Sequence, residues 1–301
     1  MSGLFRGCHM GVAILPLLGL ALTACHADGE AAMFNFAALP DAHMFTGHHA
    51  FVPATVEKIN ALEIQPDFVI SLGDNIAGGQ DHQVLQDARD YAAHVAKLKA
   101  PHYYVIGNHE CIPVEVYKLL TWEQLLGAWG MTSRWHSFDV KGFHVCVLES
   151  WSALQGKPLL AEELQWLRDD LQVTDRPTLV FAHEALGFQQ ADCPDWIATD
   201  NRKFWPPGNE FERLFEAHRD KLIGVFSGHK HKSLHKVLNG VTYHTLGANF
   251  VNGQFVQVFV DGARNWLVLG HPERTEPDAK CELQQTYGNR ALVARADPER
   301  P

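Results

Sequence analysis

The sequence predicts an α/β fold, and three observations carry that prediction. Apolar runs of strand length recur along the 301 residues, at 33–39, 68–72, 102–106, 178–182 and 222–226. Stretches with apolar residues at helical spacing lie between them. Each apolar run is followed by a polar cluster rich in Gly, Asp, Asn or His. Strands that are apolar throughout are covered on both faces, as in a sheet with helices outside it.

In chain order, residues 33–39 read as a first buried strand, ending in Pro40-Asp41-Ala42-His43. Residues 53–64 place Val56, Ile59, Leu62 and Ile64 at helical spacing, with Pro53 near the start. The strand at 68–72 leads into Gly73-Asp74-Asn75, and the pair Gly78-Gly79 predicts a mobile loop. A second helix is expected over 82–99, from Val84, Leu85, Ala88, Tyr91, Ala92, Val95 and Leu98. The third strand, 102–106, ends in Gly107-Asn108-His109-Glu110. In the second half, 135–140 and 143–148 flank Lys141-Gly142 as a hairpin. A helix over 160–171 carries Leu164, Leu167 and Leu171 on one stripe, and the strand at 178–182 ends in His183-Glu184. A helix over 209–220 leads to the strand at 222–226, which stops at Gly228-His229-Lys230-His231. Hairpins follow at 234–246, around Asn239-Gly240, and at 254–270, around Asp261-Gly262. From 271 to 301 the chain is polar and reads as a tail. The pattern leaves open whether the two halves share one sheet or form two packed layers.

With 46% apolar and 20% charged residues, the chain can build one substantial core and is short for two full domains. A net charge of −10 argues against non-specific binding to nucleic acid. It would also repel phosphate-bearing substrates unless the site itself is strongly positive. Because the sequence holds 18 histidines, each one singled out needs its own argument.

The N-terminus reads as a targeting segment over residues 1–24. Arg6 supplies a weak positive region, and residues 11–22 run apolar, too short to span a bilayer comfortably. The end, Leu22-Thr23-Ala24-Cys25, resembles the lipobox of bacterial lipoproteins, which implies a lipid-modified Cys25. An ordinary secretory signal cut near Ala27 is the alternative. By the same resemblance, His26 in place of Asp favours the outer membrane over inner-membrane retention. Loss of residues 1–24 removes Arg6 and no acid, so −10 becomes about −11. Residues 25–32 read as a linker to a domain over 33–270. In an oxidising compartment, Cys146, inside an apolar run, is expected to be a buried free thiol. Cys111 and Cys193 lie in polar loops, and a disulfide between them stays open; neither it nor a partner for Cys281 can be read from sequence.

The strand ends deliver Asp41 and His43, then Asp74, then Asn108 and His109, then His183, then His229 and His231. Sites in open α/β sheets form at the carboxyl ends of strands. Taken singly, each cluster has a bland reading: Asp74 as a helix cap, His183 as a core histidine, Asp41 and His43 as a turn. Together they hold enough imidazole and carboxylate for two metal ions of the Mn, Fe, Zn or Co type. His48, His49, His82 and Trp205 are weaker candidates, for lining a substrate pocket. Glu184, Lys230 and Lys232 are expected to be solvated or capping residues.

Asp41-x-His43, Gly73-Asp74, Gly107-Asn108-His109-Glu110, His183 and Gly228-His229-x-His231 resemble the five ordered motifs of the calcineurin-like metallophosphoesterases, across about residues 33–250. Residues 163–167 also look like a helix common in that group. The resemblance implies two packed mixed β-sheets sandwiched by helices, a four-layer α/β/β/α arrangement. It implies that Asp41, His43 and His231 hold one metal, that Asn108, His183 and His229 hold a second, and that Asp74 bridges them. His109 would stabilise the transition state or protonate the leaving oxygen. The implied reaction is two-metal phosphoester hydrolysis, a metal-bridging hydroxide attacking phosphorus in line. The two cations would also answer the charge problem of an acidic protein.

Departures narrow the subclass. Asn75-Ile76-Ala77-Gly78 replaces the Asp-Arg-Gly-containing motif of the protein serine/threonine phosphatases of this superfamily, and position 77 is Ala where purple acid phosphatases carry Tyr. The expected substrate is a small phosphoester, with diesters slightly ahead of monoesters for want of an arginine clamp. No nucleic-acid partner is expected, since no basic stripe appears. The membrane is reached only through Cys25. The alternative is a non-enzymatic surface module that keeps the fold and its metal and phosphate binding. His109 argues against it, because a binding protein has no need of an acid.

Overall fold

The computed structural model describes residues 34–47, 51–80, 83–154, 159–192, 206–261, 266–270 and 283–286. The segment predicted for export, Cys25, Cys193, Cys281, His48, His49, His82 and Trp205 all lie outside them. No helix among the described residues is long and apolar enough to cross a membrane.

Strands β1 (Phe34–Leu39), β2 (Phe68–Leu72) and β3 (His102–Val105) form the parallel part of one sheet. Helices α1 (Phe51–Asn60) and α2 (Val84–Val95) alternate with them, as the sequence predicts. Then come α3 (Asn108–Glu115), α4 (Trp122–Trp129) and the hairpin of β4 (His136–Val140) and β5 (Phe143–Val147). Next are α5 (Ser150–Leu154), α6 (Leu159–Val173), β6 (Thr178–Phe181), α7 (Glu210–Ala217) and β7 (Leu222–Ser227). The chain continues through β8 (Leu234–Leu238), β9 (Val241–Thr245), α8 (Asn249–Asn252), β10 (Val256–Asp261), β11 (Trp266–Gly270) and β12 (Leu283–Thr286). Two six-stranded mixed sheets result, in the orders β12-β11-β10-β1-β2-β3 and β4-β5-β6-β7-β9-β8. The halves are therefore two packed layers.

Period-2 alternation explains the layering. Phe34, Phe36 and Ala38 of β1 face the second sheet, in a core shared with Phe68, Phe143, Phe181 and Phe226. The Phe36 ring stacks on Phe68 at 5.2 Å and meets the edges of Phe181 and Phe226 at 5.2 and 5.4 Å. Ala37 and Leu39 point the other way, onto Ile59 of α1 and Val69. Outside the second sheet, Leu164, Leu167 and Leu171 of α6 pack with Phe211 and Phe215 of α7. Both faces of each parallel strand are thus covered, which is why the strands read as unbroken apolar runs. The fold is the expected four-layer α/β/β/α arrangement.

Three differences from the sequence reading have physical reasons. Helix α3 starts inside a polar motif and contains Pro113, so it shows no apolar stripe. Helix α4 carries a capping box instead: Thr121 N–H donates to Gln124 Oε1 at 2.9 Å, and Gln124 N–H donates to Thr121 Oγ1 at 3.2 Å. In the region read as a polar tail, Leu283–Thr286 pairs with β11 and forms the sheet edge. Cys146 is the expected buried free thiol. Cys111 is also a free, buried thiol, beside Glu149 Oε1 at 3.5 Å; Cys193, the partner weighed for it, lies outside the described residues.

Candidate metal centre

The carboxyl ends of β1, β2, β3, β6 and β7 converge where the two sheets meet, and every residue singled out from the five motifs sits there. The backbone in these loops is unusual. Asp41, His43, Asp74, His229 and His231 have φ of 45°, 44°, 48°, 67° and 54°; only three other non-glycine described residues have positive φ. For a side chain larger than glycine this left-handed region costs about 1–2 kcal/mol per residue. Tertiary hydrogen bonds hold it. His43 N–H donates to Asp74 C=O at 2.8 Å, and Met44 N–H to Asn75 C=O at 3.0 Å. His229 N–H donates to both Asp41 carboxylate oxygens, at 2.9 and 3.0 Å, and His109 N–H to Asp74 Oδ1 at 2.8 Å.

Glu110 is the main fastener and was not assigned this role from sequence. Its carboxylate, fully buried, accepts from the N–H groups of Gly107 (2.7 Å), Asp74 (2.9 Å), Asn75 (2.8 Å) and Ile76 (3.1 Å). It thereby ties the loop after β2 to the loop after β3. Burial pushes this carboxyl up to about 7, the charge of Asp74 adds to the rise, and the N–H groups oppose it. Gly73, at φ +83°, is required by close approach as well as by conformation: a Cβ there would lie 2.5 Å from His183 Nδ1.

The donor atoms fall into two groups that share one oxygen. In the first, His43 Nε2 lies 3.3 Å from His231 Nε2 and 3.7 Å from Asp74 Oδ2, and His231 Nε2 lies 3.4 Å from Asp41 Oδ1. In the second, His183 Nε2 lies 3.1 Å from Asn108 Oδ1, 3.2 Å from His229 Nδ1 and 3.2 Å from Asp74 Oδ2. Atoms bound at about 2.0–2.2 Å to one cation stand roughly 3.0–3.6 Å apart; the second group falls within that range, and the first does so except for the His43–Asp74 pair, at 3.7 Å. Hydrogen bonding alone does not explain them. His183 Nδ1 is already engaged by Leu72 C=O at 2.7 Å, and one N–H at Nε2 satisfies one of its three neighbours, where a cation satisfies all. The donor set is nitrogen and oxygen without sulfur, which suits Mn, Fe or Zn.

The electrostatics agree. Burial pushes His43 down to about 4 against the pull of Asp74, and burial, with His183 and Lys230 nearby, holds His229 well below the ordinary imidazole value. Both rings are thus neutral, with lone pairs to offer. Burial works against charge on Asp74 too, but His183 and His109 outweigh it and keep the carboxyl well below its usual range. Against the same burial, Asp74 holds His183 well above its ordinary value. The site draws positive charge to Asp74.

His109 stands at the open side. Its Nδ1–H donates to Ala77 C=O, which turns Nε2 towards Asp74 Oδ2, 3.8 Å away. Gly78, read from sequence as part of a mobile loop, is buried, and a Cβ on it would lie 1.9 Å from the carbonyl oxygen of His109. Glu184 and Lys230 are likewise buried, not solvated. Glu184 shares a hydrogen bond with Ser150 Oγ, and burial pushes its carboxyl up to about 7. Phe250, missed from sequence, meets the His43 and His231 rings edge-on at 4.9 and 5.0 Å. Its only sequence signal is a place three residues after Gly247 in a largely apolar stretch, which is too common to single it out.

Residues 34–233 match the family model described as calcineurin-like phosphoesterase, and the chain belongs to that family. No curated protein sequence matches it. Among solved structures it is similar to the purple acid phosphatase PPD1 of yellow lupin (Lupinus luteus), with 14% identity and a TM-score of 0.55 over 81% of this chain and 52% of that one. It is also similar to a putative 5'-nucleotidase from Staphylococcus aureus solved with alpha-ketoglutarate, with 14% identity and a TM-score of 0.50 over 89% of this chain and 55% of that one. The chain spans about half the length of those two proteins, and the likeness is one of fold.

Proposed function

We propose that this chain is a binuclear metal-dependent phosphoester hydrolase. One observation carries the reading: two groups of donors, each at or near cation spacing, share the single oxygen Asp74 Oδ2. Asp41, His43 and His231 would hold one ion, Asn108, His183 and His229 the other, and Asp74 both. Ions held by these residues would supply Lewis acidity and would lower the pKa of a bound water. The chain's own residues do the rest. Hydrogen-bonded at Nδ1 to Ala77, His109 keeps Nε2 available to hand a proton to the leaving oxygen. Asn108 offers a neutral amide, which spares the phosphate one negative charge. Phe250 walls the side of His43 and His231 and keeps both rings from turning. Diesters are expected to be cleaved faster than monoesters, because none of the five motifs contains an arginine to grip a dianionic phosphoryl end.

Turnover of bis(4-nitrophenyl) phosphate and 4-nitrophenyl phosphate by protein stripped of metal and reloaded with Mn tests the reading. Metal-dependent cleavage that disappears in Asp74→Asn is the expected result, and the ratio of the two rates assigns diester or monoester preference. Binding of two ions without turnover on either ester would favour the surface-module reading. We also propose export and acylation at Cys25. Mass spectrometry of the N-terminal peptide, with a Cys25→Ala variant moving to the soluble fraction, tests that separately.

A further inference from the structure

A second group of side chains of metal-ligating type lies away from the candidate metal centre. His144 and Cys146 are two residues apart on β5 and so share one face of the strand. Asp170 comes down onto them from α6. His144 Nε2 lies 2.8 Å from Asp170 Oδ2, Cys146 Sγ lies 3.4 Å from the same oxygen, and the three donor atoms stand within 4.8 Å of one another.

We propose that this cluster is a separate site for one thiophilic divalent transition-metal ion, Zn²⁺ above all, bound by His144 Nε2, Cys146 Sγ and Asp170 Oδ2. Nitrogen, sulfur and oxygen from three residues, with a fourth position left for water, is a zinc-type donor set. Ligands of one zinc ion stand roughly 3.2–3.8 Å apart; the two contacts to Asp170 Oδ2 lie within a few tenths of an ångström of that range, and the His144–Cys146 pair closes to it from no more than 4.8 Å.

The surroundings are those that orient ligands. His144 Nδ1 faces Asp139 Oδ1 at 2.7 Å, directly across the β4–β5 ladder, and this carboxylate turns Nε2 inward. Ser137 Oγ–H donates to Asp170 Oδ1 at 3.0 Å, which leaves Oδ2 for the cluster. A histidine that donates its other nitrogen to a carboxylate, and a carboxylate held by its own hydrogen bond, are the usual supports of a bound metal. All three donors stand on regular strand or helix, so the geometry is fixed in advance. The cluster is also reachable: Cys146 is fully buried, but the Asp170 side chain is 17% exposed.

The charges balance. The groups facing His144 are Asp139, Asp170 and Cys146, with Arg176 on the outer oxygen of Asp139 and Lys221 hydrogen-bonded to the carbonyls of Leu171 and Thr174. Without metal, hydrogen bonding to Asp170 and Asp139 raises His144 above its ordinary value against burial, and burial beside Asp170 keeps Cys146 a thiol. The ion displaces one proton from His144 Nε2 and one from Cys146 Sγ, both to solvent, while Nδ1–H stays on Asp139. Two protons leave and two positive charges enter, so the net charge of the cluster is unchanged and affinity rises with pH.

Cobalt titration of the metal-stripped protein tests this, because thiolate bound to Co²⁺ gives a near-ultraviolet charge-transfer band. The phosphoester centre proposed above has no sulfur ligand, so the band reports the new site whether or not that centre is correctly assigned. The expected result is a band whose full intensity corresponds to one cobalt-bound thiolate per chain, that is displaced by Zn²⁺, survives Asp74→Asn and vanishes in Cys146→Ser. Asp139→Asn should keep the band and weaken binding about 10–100-fold. Asp170→Asn leaves the core thiol in place, and should weaken binding about tenfold or more even if Cys146→Ser fails to fold. No band in the unsubstituted protein, or one insensitive to both the Cys146 and Asp170 changes, would overturn the proposal and leave the cluster as an imidazolium held between two carboxylates.

Discussion

At the turn end of the second sheet the chain enters the left-handed region at Lys141-Gly142, between β4 and β5, and at Asn239-Gly240, between β8 and β9. Both central residues of each turn have positive φ, as a type I′ hairpin requires, so the short connection itself accounts for the conformation. At the opposite end Asp41, His43, Asp74, His229 and His231 occupy the same region, and none of them closes a hairpin. Distant groups hold them there: the Glu110 carboxylate, the Asp41 carboxylate and the carbonyls of Asp74 and Asn75. Left-handed backbone is thus a local matter where it closes a turn and a tertiary one where it aims a side chain. Damage at the first kind of position should cost stability alone, and at the second it should cost ions and turnover.

The sharpest way to break that contrast is Asp74→Asn. With Mn saturating, turnover should fall on the order of 10³-fold or more, because the shared oxygen would lose its charge. Retention of a tenth of the activity in a variant with native circular dichroism would sink the assignment. His109→Ala should lower turnover about 10²–10⁴-fold and leave the metal content, read by elemental analysis, unchanged. Next comes a matched pair of glycines. Gly73→Ala, at φ +83° and aimed at His183 Nδ1, should cost about 2–4 kcal/mol and also lower metal affinity. Gly240→Ala has the same φ, but meets only the flexible Arg219 side chain, at 3.1 Å. It should cost about 1 kcal/mol, a drop of roughly 2–4 °C in Tm, with turnover untouched. Equal losses of activity in the two variants would erase the distinction between the ends.

The smallest effect concerns His144, at the turn end. In metal-free protein its raised value means that its contribution to stability is full below the ordinary 6.5 and is lost as pH rises through the folded value. Asp139 and Asp170 are lowered despite burial, through His144 and, for Asp139, Arg176; their contribution is full above 3.8 and is lost as pH falls through their folded values. The Tm difference between the unsubstituted protein and His144→Gln should therefore be largest between those limits and shrink on either side. Because the groups are partly exposed, the difference should stay below about 1 kcal/mol.

Much of this was legible in the sequence because it rests on local pattern. The buried strands announced themselves as apolar runs, and Asn239-Gly240 as a hairpin turn. The eight candidate residues could be named because they stand in ordered motifs, each after a strand, and the structure brings all eight together. What escaped depends on contacts across the chain. The reach of Glu110 to the loop after β2, the wall made by Phe250 and the burial of Glu184 and Lys230 have no signature in residue spacing. Gly78, in a pair read as a loop signal, carries a requirement of the same long-range kind. Glycine was read as freedom where it is required by the carbonyl of His109 pressing on it.

Glu110 gathers four backbone N–H groups from two loops that have to meet before any ion can be held. The meeting is accomplished when the chain folds, by a group that is not itself a proposed ligand. Capture of the proposed ions would then carry little reorganisation penalty, and the centre would behave as a rigid socket of set width. Chelation should empty it without loosening the amides of residues 73–77 and 107–110 to hydrogen exchange. Choice among competing cations passes from the loops, which cannot adapt, to the radius and coordination preference of the ion itself.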